Sequence, residues 1–194
     1  EEKNKTRQEF QILGNKAQVL AEELAPQFIE TTVIGLPKWI IASSEEAKKY
    51  DPSSEDSVDG GPVASKIAAV DLVEDGDVIF AVVDNFAARK ILFEAAATVD
   101  NIDVFSGGND EDYFGSYIHY QRRNGEDMTP NPATHERFEE FNNPADRNPG
   151  ELSCQERAEI EGGTQIMATN NLVASVLAMR SHAVIFKDDE PNPS

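Results

Sequence analysis

The chain has 194 residues, 39% hydrophobic and 8% aromatic, with 17 Lys and Arg against 36 Asp and Glu, a net charge of -19 and a mean hydropathy of -0.48. This suits one globular domain with a real core and polar loops and excludes a disordered acidic tail. The charge speaks against a nucleic-acid partner, which needs a basic stripe, and no apolar run approaches the roughly 18 residues that would cross a bilayer.

The single cysteine, Cys154, has no internal disulfide partner, so a cytoplasmic setting is expected. The opening twenty residues are the one cationic patch, with Lys3, Lys5, Arg7 and Lys16 against Glu1, Glu2 and Glu9. From Asn15, a plausible N-cap, Ala17, Leu20, Ala21 and Leu24 recur at helical spacing until Pro26. The β-branched stretch Gln27 to Leu36 reads as a strand, and residues 37–66, rich in Ser, Asp, Gly and Pro, read as a loop insertion.

Asp77 to Asp84, DVIFAVVD, is a continuous apolar run of the kind buried on both faces of a parallel sheet. It leads directly into NFAARKILFEAAA, a helix beginning at Asn85. NIDVFSGG reads as another strand, and Tyr113 to Gln121 as a further, antiparallel one. A polar stretch, 122–153, reads as a crossover loop leading to Cys154. The last long element, Ile166 to Ile185, is apolar nearly all round and reads as a buried helix that could end in a strand.

Strands alternating with helices imply an α/β domain with a mainly parallel sheet, flanking helices and some antiparallel strands, in which ligands bind at the carboxyl ends of the strands. Asp84 stands at such an end. From spacing alone, Asp84 and Asn85 fit an ordinary helix cap as well as a ligand site.

Three segments carry a resemblance. NKTRQEFQILGNKAQVLAEEL is similar to the Asn-x-x-Arg-Gln and Gly-x-x-Lys-Ala region of the ThiF/MoeB/HesA superfamily of ubiquitin-activating-type adenylating enzymes. DVIFAVVDNFAARKILFEAA resembles that family's apolar strand ending in Asp-Asn, and GELSCQERAEIEGGTQIMATNNLVASVLAM its acceptor-cysteine region and long core helix. The family's glycine-rich first strand is not found before Asn15, so the chain is expected to lack the first strand-helix-strand unit of a Rossmann-like fold.

The resemblance implies ATP and Mg²⁺ as cofactors and adenylation of the C-terminal carboxylate of a small ubiquitin-like protein or peptide. Attack of a carboxylate on a phosphate needs cations to offset like charge. By resemblance, Arg7 and Lys16 neutralise the phosphates, Asn4 hydrogen-bonds the nucleotide, Gln8 does the same or orients Arg7, and Asp84, beside Asn85, holds Mg²⁺. Read without the resemblance, Arg7 and Lys16 are ordinary solvated surface cations. Arg89 reads as a structural partner. Cys154 is either the thioester acceptor or a buried packing residue; a lone cysteine is usually the latter, while its polar setting just before a helix start speaks for the former. His119, His135 and His182 show no ligand spacing and Cys-x-x-Cys is lacking, so no zinc is expected. The family also implies a homodimer. The rivals are a non-catalytic scaffold subunit of an activating-enzyme heterodimer and a relative adenylating a small carboxylate on tRNA.

Overall fold

The computed structural model describes residues 15–43, 66–83, 85–109, 115–145 and 167–187. Helix α1 (Lys16–Leu24) begins where Asn15 caps it: Asn15 Oδ1 accepts the amides of Ala17 at 2.9 Å and Gln18 at 3.4 Å. Two otherwise orphaned donors are thereby satisfied. Pro26 lies in the 3-10 turn Ala25–Gln27 that follows, where its missing amide does no harm.

The strand expected over Gln27 to Leu36 does not form. Ile29 is 94% exposed, and a Cβ on Gly35 would lie 2.3 Å from the Ala17 carbonyl oxygen. The segment folds back so closely on α1 that only a glycine fits. β-branched residues make a strand only where a neighbour pairs with the backbone and covers the side chains, and here neither happens. Instead β1 (Trp39–Ile41) opens the stretch read as a loop insertion and pairs in parallel with β2 (Lys66–Ala68). A 3-10 turn, Ala69–Asp71, follows β2.

The second sheet contains β3 (Val78–Ala81), β4 (Ile102–Asn109), β5 (Gly115–Arg123) and β6 (Glu126–Asp127), in that spatial order. β3 and β4 are parallel, with Val78 opposite Asp103 and Ala81 opposite Ser106, and α2 (Phe86–Ala96) connects them. β5 returns antiparallel to β4, so the strand read from Tyr113 is present from Gly115. Asn124 and Gly125, at φ 51° and 77°, make a two-residue hairpin turn into β6. Turns of this hand match the strand twist and favour Asn-Gly. The α/β class, parallel pairs with flanking helices and added antiparallel strands, is thus the one observed.

Alternation along β4 divides the protein into layers. Ile102 and Val104 join Phe93, Ala96, Tyr120 and Phe141 in the main core beneath α2 and the one-turn helix α3 (Glu139–Asn142). The 122–153 stretch therefore contributes core residues, Ala133 and Phe141 among them. Phe105 points to the other face and packs with Val173 and Leu177 of α4 (Met167–Lys187). Each fully buried large side chain contributes roughly 1.5–3 kcal/mol relative to exposure.

Two expectations of burial are corrected. Phe80 is 45% and Val82 60% exposed, because β3 is an edge strand: it pairs with β4 on one side and, among the described residues, with nothing on the other. α4 is helical to Lys187 with no terminal strand, and Leu172, Met179 and Phe186 are exposed, since only one stripe of it meets the sheet.

Candidate functional site

The candidate site is the carboxyl end of β3, where the chain turns into α2. Asn85 takes an extended conformation, φ -121° and ψ 122°, and its Oδ1 accepts the Ala88 amide at 2.8 Å. The cap reading of Asn85 is therefore realised. Its side-chain oxygen is thereby committed to the helix.

One turn along α2, Arg89 is only 5% exposed. Its Nε donates to the Val83 carbonyl at 2.6 Å, and its guanidinium lies over the Phe86 ring, 5.4 Å from the centroid. A Cβ on Gly108 would sit 2.5 Å from Arg89 Nη2. Arg89 thus ties the end of β3 to α2 and lies flat on the β4 backbone, the structural role expected of it. Gly107 has the complementary duty on the other face, where a Cβ would come within 2.6 Å of Val173 and 2.7 Å of Leu177. The Gly107-Gly108 pair lets Arg89 and α4 approach β4 from opposite sides. Ser106 Oγ donates to the Ala81 carbonyl at 3.2 Å and fastens β4 to β3.

Of the residues assigned by resemblance, Asn4, Arg7, Gln8, Asp84 and Cys154 lie outside the described residues. Lys16 is described in its backbone, as the first residue of α1. Asn85 alone has a described side chain, so no distance among the proposed phosphate ligands enters the site's geometry.

A second polar constellation escaped sequence reasoning. Asp103, its side chain 7% exposed, accepts from His119 Nε2 at 2.7 Å and Gln121 Nε2 at 3.1 Å through one oxygen and from Arg123 Nη2 at 2.6 Å through the other. The His119 ring stacks on Phe105 at 4.3 Å, and Phe105 on Phe80 at 5.6 Å, giving an aromatic row across three strands. Burial pushes the Asp103 pKa up, but the bonds from His119, Arg123 and Gln121 and the guanidinium charge outweigh it and hold the carboxyl below its ordinary range. With every oxygen engaged, the cluster clamps β4 to β5. Alternation in β5 was its only sequence signal; the cross-strand register that brings Asp103 to His119 is non-local.

Below the turn at Asn124, Tyr120 donates to Asp127 at 2.7 Å, and Arg122 pairs with the same carboxylate oxygen at 2.5 Å. Burial, then the Asp127 contact, pushes the Tyr120 pKa up to about 12. Among the described residues no group of three or more His, Cys, Asp or Glu is placed to hold a metal ion, and no helix is long and apolar enough to cross a membrane. No family model matches the sequence, and comparison with curated proteins and with solved structures likewise finds no match.

Proposed function

We propose that the chain is an adenylating domain that uses ATP and Mg²⁺ to activate the C-terminal carboxylate of a small ubiquitin-like protein or peptide. The observation that supports this reading is local: the Asp-Asn pair follows a strand of a parallel pair at its carboxyl end, and Asn85 starts the next helix. Ligands of open α/β sheets bind in that position. Arg89 Nε on the Val83 carbonyl and Asn85 Oδ1 on the Ala88 amide tie this end of the strand to the helix.

ATP supplies the activated leaving group that turns a carboxylate into an acyl donor. The chain's residues bind and orient. Arg7 and Lys16 offset the phosphate charges, Lys16 at the amino end of α1, where the helix dipole adds to its effect on an anion. Asn4 and Gln8 hydrogen-bond the nucleotide, and Asp84 offers the oxygen ligand a hard cation requires. Cys154 takes the acyl group as a thioester: its thiolate attacks the acyl carbon, the bond to AMP breaks, and AMP departs with the electron pair. The protein works in the cytoplasm as a homodimer, without zinc, nucleic acid or membrane.

The test is ATP-pyrophosphate exchange in the presence of the carboxylate substrate. Exchange is expected, and Asp84→Ala abolishes it while the circular dichroism spectrum stays unchanged. A wild-type protein that does not exchange overturns the reading and leaves the non-catalytic scaffold in its place, and a folded Asp84→Ala protein that exchanges at the full rate removes Asp84 from the site.

A further inference from the structure

Between β3 and α4 lies a groove of about 450 Å³ whose sides carry Phe80 of the strand, Val82 just beyond its end, and Ala178, His182, Ile185 and Phe186 from the helix. It is apolar but for two side chains, Ser181 and His182, and none of its lining residues is acidic, on a chain with 36 acids. Beside it, β3 pairs with no strand on its other side among the described residues, and Phe80 and Val82 are exposed there. An edge of that kind is a template for another strand. Charge is concentrated at one end, where Glu74, Asp75 and Asp77 immediately precede β3, with Glu74 and Asp75 exposed.

We propose that this groove is a docking site for an extended polypeptide strand of a partner protein, apolar at alternate positions and positively charged at the end lying beside Glu74 and Asp75. The strand hydrogen-bonds to the side of β3 that pairs with no other strand among the described residues and seats alternate side chains between Phe80, Val82 and the α4 stripe, the mode in which main-chain bonds give affinity and side-chain pockets give specificity. The charge fixes both the partner and the direction. A net charge of -19 repels anionic chains and steers cationic ones, and the acid-free groove lets the apolar part enter without burying a carboxylate. Because the acids precede β3, a strand with its positive charge at the amino end lies parallel to β3. The site is separate from the carboxyl-end turn and does not rest on the adenylation reading.

The probe is a fluorescent octapeptide with two amino-terminal lysines followed by alternating valine and threonine, added to the whole 194-residue chain. Saturable binding is expected, with slowed hydrogen exchange at the amides of residues 78–83. Ala178→Glu, which leaves the helix intact by circular dichroism, places a charge in the apolar channel and weakens binding by about tenfold or more. Replacing the peptide's lysines by glutamates weakens binding to the wild type, and Glu74→Lys inverts that preference. The proposal is overturned if residues 78–83 gain no protection from the peptide, or if Ala178→Glu binds as well as wild type. It is equally overturned if those amides are already protected without peptide in a dimer that dissociates on dilution, which would make the occupant a second copy.

Discussion

Asp103 shows how one buried acid is made tolerable. Three donors from β5 surround it, and removing the charge by Asp103→Asn leaves Arg123 without its carboxylate, so a loss of about 1–3 kcal/mol is expected in urea unfolding. The folded pKa is depressed, so this contribution is complete above the unfolded value of about 3.9 and is lost as pH falls through the lower, folded value. The stability gap between wild type and Asp103→Asn should therefore be constant from neutral pH to about 5 and shrink below about 4. A gap independent of pH down to the acid transition would contradict the assignment. Tyr120 has the opposite sign. Its folded pKa is raised to about 12, so its contribution is present below about 10 and is lost as pH rises towards the folded value. Alkaline unfolding curves of Tyr120→Phe should be flatter across that window.

At the scale of elements, the junction of β3 and α2 separates structural from ligand roles. Asn85→Ala removes the cap oxygen from the Ala88 amide and should lower stability by about 1 kcal/mol. Asn85→Asp keeps an oxygen there and should restore stability. If the Asn85 amide also serves the nucleotide, Asn85→Asp stays defective in pyrophosphate exchange although its melting temperature recovers; exchange recovering with stability would make Asn85 a cap alone. The contact of β4 with α4 is equally specific. Gly107→Val pushes a branched side chain into Val173 and Leu177, and overpacking of this kind costs about 1–3 kcal/mol. The expected readout is faster proteolytic cleavage of α4 while the α2 side of the sheet stays protected.

For the molecule as a whole, the β3 edge, unpaired among the described residues, and the exposed residues around it, Val82, Ile185 and Phe186, are an association liability as well as a surface. The 194-residue chain alone should bind a hydrophobic dye, and Ala178→Glu should reduce the signal. Cooperative unfolding without dye binding would mean that the groove is covered in solution. At this scale Cys154 also decides between direct transfer and a relay. Cys154→Ser should stop the reaction after adenylation or trap a more stable oxyester, whereas full turnover by Cys154→Ala would make the cysteine structural.

The sequence by itself determined the features governed by near neighbours. Asn15 and Asn85 announce helix starts because an N-cap is a contact within three residues, whereas the Asn124-Gly125 hairpin, whose left-handed backbone suits those residue types, lay inside the stretch read as a crossover loop. The order of strand, helix and strand from Val78 to Asn109 was legible for the same reason, and with it the α/β class. Only the tertiary structure decided which apolar runs are covered. Gln27 to Leu36 has strand composition but packs its Gly35 on α1, and DVIFAVVD looks buried on both faces yet lies at an edge, because pairing and coverage depend on chain far away in sequence. The Asp103 clamp and the opposed duties of Gly107 and Gly108 belong to the same class: each exists through a cross-strand register or a helix docking that local propensity does not encode.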